Sequence, residues 1–125
     1  MHENDVAKII VDCAFHIHNH LGPGLLESVY ESILSYELAK RGLAVSTQQG
    51  IPLVWDTVEL ELGFRADLIV NGLVIVEIKS VEAIAPVHPK QLRTYLRLLN
   101  LKLGLLINFN VPLIKDGITR VVNNL

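Results

Sequence analysis

Phe64-Arg65-Ala66-Asp67-Leu68-Ile69-Val70-Asn71-Gly72-Leu73-Val74-Ile75-Val76-Glu77-Ile78-Lys79-Ser80 is the stretch whose reading decides the fold. Two runs rich in β-branched and apolar residues meet at Asn71-Gly72, a strong short-range hairpin signal. Asp67 interrupts the first run, and Glu77 and Lys79 interrupt the second. Ionised groups are costly to bury unless paired or bound to metal, so three of them in so apolar a setting need a reason. Glu77 and Lys79 are two apart and share one face of a strand. Asp67 on the neighbouring strand could complete an acid-acid-base cluster suited to a divalent cation. The competing reading is a salt bridge between Lys79 and one of the acids.

Hairpin geometry sets a condition on that cluster. With Asn71 and Gly72 as the only loop residues, Val70 faces Leu73 and Asp67 faces Val76. Cross-strand partners share a face and neighbours alternate, so Asp67 would then point away from Glu77. A shared site requires one extra residue, as in a three-residue loop of Asn71, Gly72 and Leu73 with a bulge. The acid followed by Glu-x-Lys resembles the core motif of the PD-(D/E)XK nuclease superfamily. It reads here as Ala66-Asp67 and Glu77-Ile78-Lys79, with Ala66 in place of the proline.

At 125 residues the chain is expected to form one domain, spanning residues 1–125. Half of it is apolar, yet no uninterrupted run is long enough to cross a bilayer. The opening Met-His-Glu-Asn-Asp lacks the layout of a signal peptide, and a cytoplasmic location with no membrane association is the expectation. Cys13 stands alone, which excludes an internal disulfide, a cysteine zinc site and a cysteine-ligated iron–sulfur cluster. A net charge of −2 gives no general support to nucleic-acid binding, which must then rest on a local basic patch. The high apolar content makes a homodimer or a protein partner plausible.

Residues 4–20 read as a first helix capped by Asn4 or Asp5, with Val6, Ile9, Ile10, Cys13 and Ile17 on one stripe. His16, His18 and His20 cluster at its end. His16 and His20 are four apart but have no third ligand nearby. His18-Asn19-His20 lacks the ββα context of an HNH nuclease, so polar residues settled at a helix C-terminus are the simpler reading. A second helix is expected from near Leu25 to Gly42. Within it Glu27 falls in line with Tyr30, Leu34 and Leu38, inward-facing positions, either as a first-turn carboxylate favoured by the helix dipole or as a site residue. Leu43–Trp55 and Val58–Leu62 read as strands, with Glu59 and Glu61 facing solvent and Gly63 marking a bulge or turn. Pro86 and Pro89 favour a third helix carrying Leu92, Tyr95, Leu96 and Leu99 on its apolar face. Gln91 and Tyr95 lie at the edge of that face, where they could also be a polar boundary beside a core tyrosine. Lys90, Arg93 and Arg97 share the opposite face, as solvated surface or as phosphate contacts. Leu103–Asn108 reads as a strand buried on both faces and parallel to a neighbour.

Gly24-Leu25-Leu26-Glu27-Ser28-Val29-Tyr30 resembles the signature of the GxxExxY protein family, a group within the same superfamily. The resemblance runs from His18 to Gly24, through Arg65-Ala66-Asp67, Glu77-Ile78-Lys79 and Gln91 to Tyr95, and on to Gly104–Phe109 and Gly117–Val121. It implies an α/β restriction-endonuclease-like fold with an αβββαβ core, a mixed central sheet flanked by helices. It further implies a nuclease that hydrolyses phosphodiester bonds, in DNA above all, with Mg2+ or Mn2+. Asp67, Glu77 and the backbone carbonyl of Ile78 would be the metal ligands. Lys79 would act on the attacking water. Glu27 would bind a second metal or position Lys79, and Gln91 and Tyr95 would complete the catalytic set. Lys90, Arg93 and Arg97 would bind substrate. A nuclease-fold module that binds nucleic acid or a protein without cutting is the alternative.

Overall fold

The computed structural model describes residues 1–60 and 64–125. The chain runs as α1 (Glu3–Leu21), α2 (Glu27–Lys40), β1 (Val45–Gly50), β2 (Leu53–Trp55), β3 (Val58–Leu60), β4 (Arg65–Val70), β5 (Val74–Lys79), α3 (Val87–Leu99), β6 (Leu103–Asn108), a 3-10 turn (Ile114–Gly117) and β7 (Ile118–Val122). Five strands form one mixed sheet in the order β1-β4-β5-β6-β7. Only the β5–β6 pair is parallel, with α3 as the crossover, while the other neighbours are antiparallel. This is the mixed sheet flanked by helices that the sequence led us to expect.

The alternation of strand side chains builds two cores. Leu68, Val70, Val76, Ile78, Leu105 and Ile107 meet α1 and α2 on one face. Ile69, Ile75, Leu106 and Val121 meet Leu92, Tyr95 and Leu96 of α3 on the other. Because β6 lies inside the sheet with helices over both faces, every one of its residues is buried. Gly104 of β6 lets α3 come close, since a Cβ there would lie 2.9 Å from the Leu92 side chain.

The β4–β5 connection has three residues. Val70 pairs with Val74, Ile69 with Ile75 and Leu68 with Val76. Asn71 and Gly72 have φ of 53° and 63°, the left-handed pair of a type I′ turn, and the Leu73 N–H closes it on the Val70 carbonyl at 3.0 Å. Leu73 is the extra residue that the shared carboxylate face requires. Asn71 also ties the loop to the start of β1, its Oδ1 accepting from the Ala44 N–H at 2.8 Å.

Several sequence expectations shift. His2, rather than Asn4 or Asp5, caps α1: its Nδ1 accepts from the Asn4 N–H, and the Asp5 carboxylate accepts from the His2 N–H in return. The expected strand over Leu43–Trp55 splits at Ile51-Pro52, since proline cannot donate to a ladder. Its second part pairs with β3 as a separate two-stranded ribbon on which Glu59 is exposed. The expectations for Glu61, Leu62 and Gly63 lie outside the described residues. β7, which the alternation did not flag, closes the sheet beside β6. Among the described residues no helix is long and apolar enough to cross a membrane.

Gly104→Ala should destabilise the fold by about 1–3 kcal/mol, because fully buried Leu92 has little room to retreat. Chemical denaturation measures this, and an unchanged midpoint would show that α3 is not seated on Gly104.

Candidate carboxylate site at the end of the central hairpin

One step beyond the Leu68–Val76 pair, the register sets Asp67 opposite Glu77. The carboxylate of Asp67 takes over from the ladder at this point: its Oδ2 accepts the Ile78 N–H at 2.8 Å. Glu77 is only 7% exposed, and its Oε1 is buried without a hydrogen-bond partner among the described residues. A buried oxygen left unpaired is costly. Burial is the main force pushing the Glu77 carboxyl up to about 9, and the neighbouring Asp67 charge adds to it, while Lys79 opposes the shift. Lys79 is half-buried on the same strand face. It forms no ion pair within 4.0 Å among the described residues, contrary to the salt-bridge reading.

Helix α3 brings Gln91 and Tyr95 towards this pair. Tyr95 is buried, and its hydroxyl is pushed up first by burial and then by the charges of Glu77 and Asp67, while the neighbouring Gln91 opposes the shift. Glu27 is placed differently from the inward position its spacing suggested. It is exposed at the first residue of α2, and its Oε2 accepts the Ser80 N–H at 3.0 Å. Ser80 Oγ in turn donates to the Leu25 carbonyl at 2.6 Å. Glu27 thus fastens α2 to the residue after Lys79. Among the described residues no three His, Cys, Asp or Glu side chains gather into a metal-binding set.

The other positions of the Gly24–Tyr30 segment have local structural reasons. Gly24 has φ of 103°, which favours glycine. The Tyr30 hydroxyl donates to the Gly22 carbonyl at 2.6 Å and accepts from the Leu25 N–H at 3.2 Å, while its ring stacks on Phe109. His18 is a structural tie, its Nε2 lying 2.8 Å from the Val111 carbonyl, and His20 Nδ1 bonds to the His16 carbonyl.

Three residues near the site escaped the sequence reading. Asn108, opposite Lys79 across β5 and β6, clamps the chain leaving β5 through both the N–H and the carbonyl of Val81. Glu31 lies one helical turn after Glu27, a spacing that could have flagged it. Gln48 joins Glu31 to Asp67, its Nε2 donating to both at 2.6 and 3.1 Å.

A model of the PD-(D/E)XK nuclease superfamily matches residues 4–121. The chain belongs to that superfamily. No curated protein and no solved structure matches it. Asp67 of the Ala66-Asp67 pair lies on β4, and Glu77 and Lys79 of the Glu77-Ile78-Lys79 run lie on β5. Members typically use divalent metals. The donor set fits one, because an unpaired oxygen of Glu77 beside a second carboxylate is what a hard cation would satisfy.

Between the ordinary glutamate range and about 9, the folded protein holds a proton on Glu77 that the unfolded chain releases. Its contribution therefore favours folding at low pH and is lost as pH rises through that window. Metal-free Tm should fall by several degrees from pH 5 to pH 8, and Glu77→Gln should flatten that fall. A Glu77→Gln profile parallel to the wild type would assign the pH dependence elsewhere.

Proposed function

We propose that the protein is a metal-dependent nuclease of the GxxExxY type that hydrolyses phosphodiester bonds in DNA. The observation that carries the reading is the buried Glu77 oxygen, without a partner among the described residues, facing Asp67 across β4 and β5 of a PD-(D/E)XK chain. Asp67 and Glu77, with the Ile78 carbonyl, would hold Mg2+ or Mn2+. When bound, such an ion supplies charge to polarise the scissile phosphate and to acidify water.

The chain's own groups account for the rest. Lys79, half-buried and without an ion-pair partner among the described residues, is available to orient the attacking water, take part in its deprotonation and stabilise the phosphorane-like charge. Gln91, half-buried one helical turn before Tyr95, would offer an amide to the water or to a phosphate oxygen. Glu27 holds the Ser80 backbone and so limits where Lys79 can go.

A place for the substrate backbone lies on the outer side of α3. Lys90, Arg93 and Arg97 line a cleft of about 510 Å3 with Thr94, Thr119 and Arg120. Although the chain is acidic overall, residues 83–125 hold six of the eleven Lys and Arg residues and only Asp116 among the thirteen acids. The local field therefore favours a polyanion despite the net charge.

Lys79→Ala should lower manganese-dependent DNA cleavage by about 10²–10⁴-fold while leaving Tm within a few degrees. Equal cleavage by wild type and Lys79→Ala would remove Lys79 from the mechanism, and no cleavage by either would favour a binding module. In chelator, Arg93→Ala combined with Arg97→Ala should reduce the slope of log affinity for DNA against log salt by about 2. An unchanged slope would place the backbone elsewhere.

A further inference from the structure

Strand β1 lies against β4 with Thr47 opposite Leu68 and Gln49 opposite Ala66, which sets Gln48 opposite Asp67. Gln48 has a φ of 51°. A side chain other than glycine in the left-handed region carries a conformational cost, and here the conformation falls inside a strand. The register is the same on both sides of Gln48, so the unusual backbone neither turns the chain nor inserts a residue into the ladder. Its visible consequence is the aim of the Gln48 side chain and carbonyl.

The carbonyl accepts from Arg65 Nη1 at 3.0 Å. The amide reaches back between two carboxylates, donating to Asp67 Oδ1 at 3.1 Å and to Glu31 Oε1 at 2.6 Å. With Oδ2 held by the Ile78 N–H, both oxygens of Asp67 are fixed from different strands. Glu31, half-buried on α2, anchors the amide from the far side. Local strain held in place by surrounding contacts is common where geometry serves a ligand.

We infer that Gln48, anchored by Glu31, is a positioning residue that sets the Asp67 carboxylate towards Glu77 for cation binding. The inference rests on the proposed reading of Asp67 and Glu77 as a cation site. Outer-shell partners of this kind tune affinity by orienting the ligand without touching the ion. The role also separates affinity from stability, since the backbone conformation that delivers the amide is unfavourable to the fold.

Gln48→Asn tests this, because asparagine tolerates the left-handed region better but its amide is one methylene too short to bridge both acids. Calorimetric titration with manganese chloride should show affinity about 10- to 100-fold weaker than wild type, with metal-free Tm equal or higher. Loss of Tm together with affinity would make Gln48 a structural tie and overturn the inference. Glu31→Ala, which leaves Gln48 in place and removes its anchor, should weaken manganese binding in the same sense at an unchanged metal-free Tm. Unchanged affinity in either folded variant, with wild-type binding intact, would overturn the positioning role alone. No manganese binding by the wild type would overturn the cation site and the positioning role together.

Discussion

Everything at the carboxylate site depends on the parity of one connection. Strand side chains alternate, so a slip of one residue between β4 and β5 would send Glu77 to the opposite face from Asp67. Leu73 prevents this by adding a third residue after the Asn71-Gly72 turn, and Asn71 locks the loop to Ala44. With that parity fixed, two carboxylates converge where the β4–β5 ladder ends. There Asp67 replaces a strand partner for the Ile78 N–H, and a Glu77 oxygen goes without a partner among the described residues. An apolar sheet under α3 gains nothing in stability from such a pair. A bound cation, as in the proposed function, would offset this unfavourable burial.

The surroundings hold the end of β5 from three sides. From α2, Glu27 takes the Ser80 N–H, while Tyr30 and Gly24 shape the loop that presents Leu25 to Ser80. From β6, Asn108 clamps Val81. From α3, seated on Gly104 through Leu92, buried Tyr95 lies near enough for the Glu77 and Asp67 charges to act on its hydroxyl. The Gly-x-x-Glu-x-x-Tyr segment is therefore physically a fastening between α2 and the chain just after Lys79. That fastening gives Gly24, Glu27 and Tyr30 each a physical role.

Much of this was legible in the sequence, for identifiable reasons. The hairpin and the doubly buried β6 follow from turn chemistry and from two-residue periodicity, which depend on neighbours in the chain, whereas the extra loop residue followed only from requiring Asp67 and Glu77 to share a face. The helical stripes of α1 and α3 are equally local. What stayed hidden depends on tertiary contacts. The His2 cap relies on a ring nitrogen standing in for the usual short acceptor. β7 is short and only partly buried, so it carries no clear alternation. Helical spacing put Glu27 in line with Tyr30, yet at the first turn its side chain reaches sideways to Ser80 rather than inward. Gln48 gives no local sign at all, because its left-handed backbone makes sense only beside Asp67 and Glu31.

The most direct test of the account is a crystal structure of the protein soaked in manganese, with anomalous differences collected near the manganese edge. The account predicts a peak bounded by the Asp67 and Glu77 carboxylates and the Ile78 carbonyl, with the Glu77 oxygen now coordinated. A fully occupied peak elsewhere, or density showing Glu77 turned away from Asp67, would contradict it.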